Sequence, residues 1–154
     1  MTTENKVLLL KDLSARLLYG VKVQIPDEHG GYTAVIENID IDGCITDSEG
    51  KCLEVEKVKL YLYPLSSMTK EQALELYKLF GIKLTDSIGW DYIKINEVTG
   101  ITFFLRKGFD VETCLDKLID WLNKHHFDWR DLIPMGLALD ATGLNIYWLW
   151  KIKY

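Results

Sequence analysis

The residues with the most chemical character are His125, His126 and Asp128, which open the stretch HHFDWRDLIPMGLAL at residues 125–139. Imidazole and carboxylate are the groups that hold zinc and activate water on it. The trio therefore defines a candidate metal site and, with further carboxylates, a metal-dependent hydrolase or nuclease. The spacing serves that purpose badly. Adjacent helical residues diverge by about 100°, and adjacent strand residues point to opposite faces. His125 and Asp128 could share a helix face, but the remaining histidine, His29, falls in a distant turn. The same residues form a more economical joint. Lys124, His125 and His126 close a helix whose negative end favours cations, Phe127 buries, and Asp131 caps a second helix from Leu132. Pro134 then falls at the third helical position, where its missing N–H costs little.

Other chemistry is weaker still. Asp40, Asp42, Asp47 and Glu49 suggest calcium, but an EF-hand loop started at Asp40 would put Cys44 and Ile45 where an oxygen ligand and glycine belong. Polar hairpin tips explain the cluster. No nucleophile elbow, catalytic cysteine signature or glycine-rich phosphate loop accompanies Ser66, Ser67 or the cysteines. No catalytic or cofactor-binding residue is assigned and no cofactor is expected; His125, His126 and Asp128 stand as the metal candidates. The tail carries Tyr147, Trp148 and Trp150, apolar on both faces of a strand. That pattern fits a core strand, or an interaction surface, since Trp and Tyr anchor interfaces.

The elements that must position these residues follow from periodicity. VLLLKDLSARL places Leu9, Leu10, Leu13 and Leu17 at helical spacing before Gly20. GVKVQI alternates as a strand, PDEHGG turns, and residues 32–40 return. Asp42-Gly43 and DSEGK mark further hairpins, and Leu53, Val55, Val58, Leu60 and Leu62 alternate with polar neighbours. These short strands predict a bent antiparallel sheet or a small SH3-like barrel. Thr69 and Gln72 have capping-box spacing ahead of a helix ending near Gly81. WDYIKI and ITFFLR predict a hairpin with Gly100 in its turn. VETCLDKLIDWLNKHH is the strongest amphipathic helix, with Leu115, Leu118, Ile119 and Leu122 on one face. The fold class expected is α+β: an N-terminal helix and small sheet or barrel, a helix, a β-hairpin, two C-terminal helices and a final aromatic strand. The expected division is 1–68, helix plus antiparallel β, and 69–154, α+β, in one compact unit.

Bulk properties bound the function. A 154-residue chain of net charge −5 can bury a core without metal or disulfide. Before Met68 there are 7 basic and 11 acidic residues, and from Met68 on 11 and 12. Neither part offers a basic stripe, which argues against nucleic acid as partner. A nucleic-acid-binding barrel would need a basic face built on Lys22, Lys57 and Lys59. No stretch has the length of a membrane span or a signal segment. Three cysteines without CxxC spacing read as buried free thiols of a cytoplasmic protein.

KVLLLKDLSARLLYGVKVQI, KVKLYLYPLSSMT and WLNKHHFDWRDLIPMGLAL together resemble an uncharacterised protein family of gut anaerobes and of the phages and mobile elements they carry. The resemblance touches the start, middle and end of the chain. Members tend to have Pro at the place of Leu18 and Arg at the place of Tyr63, and these departures weaken any idea that a cation before Pro64 is functionally required. The motifs label the family without carrying chemistry. What the resemblance implies is context, an intracellular accessory protein of phage or mobile-element origin. The resulting expectation is a non-enzymatic binding or adaptor protein with a protein partner, using the sheet of its N-terminal half and the aromatic tail.

Overall fold

The computed structural model describes residues 1–79, 93–96, 100–103 and 111–147. The chain has α1 (Thr3–Arg16), β1 (Lys22–Ile25), β2 (Tyr32–Ile39), β3 (Ile45–Asp47), β4 (Cys52–Leu53) and β5 (Lys59–Pro64). Then come α2 (Lys70–Leu79), β6 (Ile93–Asn96), β7 (Gly100–Phe103), α3 (Val111–Lys124), β8 (Phe127–Asp128) and β9 (Ala138–Asp140). The architecture is α+β, helices with a mixed sheet. It divides into two units, Met1–Leu62 with Arg130–Tyr154, and Tyr63–Trp129. The second is thus an insertion into the first, where the sequence suggests two halves in series.

In the first unit the strands lie in the order β4-β3-β2-β1-β5, with β9 paired to β5. The pairings are antiparallel from β4 through β5, and β9 runs parallel to β5 in the register Leu60↔Ala138 to Leu62↔Asp140. Alternation places Val23, Ile25, Ala34, Ile36, Ile45 and Leu60 in one buried cluster with Leu9 and Leu13 of α1. Helix α1 starts earlier than its apolar stripe suggests, because Thr2 caps it by accepting from Asn5 N–H. Gly20, at φ 65°, ends the 3₁₀ turn Leu17–Tyr19 that follows.

The three hairpins of this sheet share one turn. In DEHGG, DIDGC and DSEGK the leading aspartate accepts two backbone N–H groups with Oδ1, from His29 and Gly31, Asp42 and Cys44, and Glu49 and Lys51. The fourth residue, Gly30, Gly43 or Gly50, has positive φ and donates to the carbonyl of the same aspartate. This is the three-residue hairpin loop with a left-handed glycine.

In the second unit, α2 begins with a reciprocal capping box: Thr69 N–H donates to Gln72 Oε1, and Gln72 N–H to the Thr69 hydroxyl. Leu65, Leu76, Leu118, Trp121, Leu122 and Phe127 form its core. Tyr63↔Phe127 and Pro64↔Asp128 pair in parallel. Strands β6 and β7 pair antiparallel from Ile93↔Phe103 to Asn96↔Gly100, so Gly100 opens β7 instead of occupying the turn.

The expected second C-terminal helix is a single turn. Asp131 has φ 59°, not the extended backbone of an N-cap. Gly136 at φ 72° then stops the turn, its N–H donating to Ile133 O while Leu137 N–H reaches back to Leu132 O. The chain leaves as β9. The expected final strand, with Trp148 and Trp150, lies outside the described residues.

Candidate functional site

The histidine joint is built by the end of α3. His125 N–H donates to Trp121 O and His126 N–H to Asn123 O. His126 then takes φ 58°, the left-handed conformation that reverses the chain. Phe127 follows into the core, and the His126 carbonyl accepts Tyr63 N–H. The two imidazoles differ in exposure, His126 being buried and His125 half-buried. That of His125 stacks on Trp121 with centroids 4.0 Å apart, and its Nδ1 lies 2.9 Å from Trp121 O. The carbonyl can only accept, so Nδ1 carries the proton. Nε2 faces Glu75 Oε2 at 3.7 Å, and the other Glu75 oxygen accepts from Trp121 Nε1–H. His126 and Asp128 are buried. Among the described residues no three His, Cys, Asp or Glu side chains converge as metal ligands. The sequence trio forms a packed joint at the end of α3. Burial also raises the pKa of Tyr63 beside it.

Tyr147 is not a surface anchor. It is 9% exposed, and its hydroxyl enters the sheet of the first unit. It donates to Tyr61 O and accepts Lys22 N–H. These groups sit one step beyond the Val23↔Leu60 pair, so the phenol bridges the two strands where their ladder stops. Lys22 Nζ donates to Ile146 O nearby. Of the cations a nucleic-acid face would need, Lys22 is thus engaged, and Lys57 pairs with Glu54 at 2.9 Å.

Two features escape the sequence reading. The first is an ion cluster in the first unit. Asp12 and Arg16 are both 0% exposed and form a two-pronged pair at 2.6 and 3.2 Å. Arg130 Nε stands 3.2 Å from Asp12 Oδ1. The signal was in the spacing: Leu9, Asp12, Leu13 and Arg16 form one helical stripe, and charges inside a core stripe must be paired. The second is the pairing of Cys44 and Cys52 as a disulfide, with Cα atoms 6.5 Å apart. The expectation of buried free thiols is corrected here, since Cys44 is half-buried and Cys52 exposed. The β3–β4 hairpin brings them together, pairing Thr46 with Cys52. Cys114 lies in α3.

The exposed chemistry of the first unit gathers at its turns. Backbone N–H donation from Gly31 and then His29 lowers the pKa of Asp27. The Tyr32 hydroxyl, which accepts from Lys51 Nζ at 2.8 Å, raises that of Lys51. The opposite end of the sheet, where β1 begins and β2, β5 and β9 end, carries exposed aliphatic side chains as well as the exposed carboxylates Asp40, Asp42 and Asp140. Ile41 is 102% exposed in the turn after β2, Leu18 is 87% exposed just before β1, and Leu144 is 52% exposed after β9.

No family model, curated protein or solved structure matches the chain. Among the described residues, no helix is long and apolar enough to cross a membrane.

Proposed function

We propose that this chain is a non-enzymatic binding or adaptor module that docks a protein partner through the end of its first unit that exposes Ile41. The observation that carries the reading is Ile41. DEHGG, DIDGC and DSEGK fold into the same turn, and the residue after the aspartate is Glu28 in one and Ser48 in another. Turn chemistry therefore makes no demand for an aliphatic side chain, yet Ile41 stands fully in water at that position. Desolvating one such side chain contributes about 1.5–3 kcal/mol, which makes it an effective anchor in a partner's pocket. Leu18 and Leu144 are exposed at the same end of the sheet and offer further aliphatic contacts. The irregular register between Ile36 and Asn38 in β2 is a bulge, the device that bends strands, and supports a bent, SH3-like sheet as the platform. An accessory role in a phage or mobile element suits a small module of this kind.

Capture from the native host with tagged wild-type protein, Ile41→Asp and Leu18→Asp tests the reading. The expected result is a defined protein that co-purifies with the wild type and is lost from Ile41→Asp, while both variants melt like the wild type. Retention of the same partner by Ile41→Asp would refute docking at this end.

A further inference from the structure

We propose that Cys44 and Cys52 act as a reversible thiol–disulfide clip that sets how firmly the Ile41 tip is held. This rests on the docking reading above and assigns its regulation. Cys44 is the last residue of the DIDGC turn, and its N–H donates to Asp40 Oδ1 beside that of Asp42. Cys52 belongs to β4, which meets β3 through Ile45↔Leu53 and Thr46↔Cys52 alone. The sulfur bridge therefore ties the tip to an otherwise thinly held edge strand. Its Cα separation of 6.5 Å lies within what a disulfide spans without moving the backbone. The bridge is also accessible, because Cys52 is exposed.

The chemistry is exchange with a small-molecule thiol such as glutathione. Its thiolate attacks Cys52 Sγ, the protein S–S bond breaks, and Cys44 leaves as a thiolate that takes a proton from water. A second thiol attacks the mixed disulfide and releases the Cys52 thiol. Two small thiols are oxidised to one disulfide as the protein disulfide is reduced to two thiols. The reverse sequence re-forms the clip. With the clip open, the turn keeps its aspartate hydrogen bonds but loses the tether to β4, so the tip is less pre-organised for a partner.

The test needs no partner. The full chain is incubated with oxidised glutathione or with excess dithiothreitol. Alkylation followed by peptide mass analysis then reads Cys44 and Cys52, and amide hydrogen exchange reads residues 40–44. The expected result is that both cysteines alkylate only after reduction. Exchange at Asp42, Gly43 and Cys44 should rise about ten-fold on reduction, the equivalent of about 1.4 kcal/mol of local stability, while β1 and β2 stay unchanged. The double variant Cys44→Ser/Cys52→Ser should match the reduced wild type under both conditions. Alkylation of both cysteines in oxidised glutathione overturns the clip, as does exchange that reduction leaves untouched. Because Ile41→Asp is scored by capture and the clip by exchange, failure of one is visible apart from failure of the other.

Discussion

A buried charge is the most demanding residue-scale feature of this molecule. Asp12 and Arg16 lie one helical turn apart with no exposure, and Arg130 adds a second guanidinium to the same carboxylate. Desolvation of such a group is offset only while its partner is present. Asp12→Ala is therefore expected to cost about 3–5 kcal/mol in urea unfolding, because it removes the buried carboxylate that both cations share. Asp12→Leu/Arg16→Met should lose far less, since an apolar pair of similar volume removes the two fully buried charges together and leaves Arg130, whose side chain is partly exposed. A single variant within about 1 kcal/mol of wild type would mean the cluster is not desolvated as its geometry implies. Tyr147 makes a parallel case with neutral groups. Tyr147→Phe leaves Lys22 N–H and Tyr61 C=O facing a ring edge with nothing to bond. Denaturation should report a loss of about 1–3 kcal/mol, the penalty for unsatisfied buried groups. Equal stability of the two proteins would show that another donor or water replaces the phenol.

At the scale of elements, the sequence was most legible where a local rule acts alone. The alternation of β1, the capping box at Thr69 and Gln72, and the close of α3 at His125 and His126 are each decided within a few residues. The expectation failed where neighbours compete. Leu132 to Gly136 has the pattern of a helix start, but Asp131 takes a left-handed backbone and Gly136 ends the turn before a second can form. Asp12 and Arg16 drew no reading from the apolar stripe of Leu9, Leu10, Leu13 and Leu17; packing against Arg130 reveals their side. The repeated turn was readable in principle, since DEHGG, DIDGC and DSEGK carry aspartate and glycine three apart in each case. The turns also allow a matched comparison. Gly43 and Gly50 share φ 78°, but a Cβ on Gly43 would lie 3.2 Å from a Leu10 methyl, whereas one on Gly50 meets nothing within 4 Å. Gly50→Ala isolates the left-handed strain, about 1–2 kcal/mol. Gly43→Ala should cost more by several tenths of a kcal/mol, read as a lower thermal midpoint. Equal midpoints would show that Leu10 yields freely and that α1 does not constrain the DIDGC turn.

For the molecule as a whole, the decisive fact is that each unit keeps its own core. Among the described residues, the cluster around Leu9, Val23, Ile36 and Leu60 draws on Met1–Leu62 and on residues from Arg130 onward. Among the same residues, the cluster around Leu76, Trp121 and Phe127 draws on Tyr63–Trp129. The inserted unit begins and ends on paired strands, with Tyr63 beside Phe127, so its two ends are held by its own hydrogen bonds. Separate cores with separately secured ends predict separate cooperativity. Leu76→Ala is a clean probe, because Leu76 is fully buried among residues of the inserted unit. The cavity it leaves should cost that unit about 2–5 kcal/mol. Native-state hydrogen exchange should then show lowered protection at α3 and at Tyr63, while the amides of β1 and β2 keep their wild-type rates. A uniform fall in protection across both units would instead mean that they unfold as one body, and that the boundary at Leu62 and Arg130 has no thermodynamic meaning.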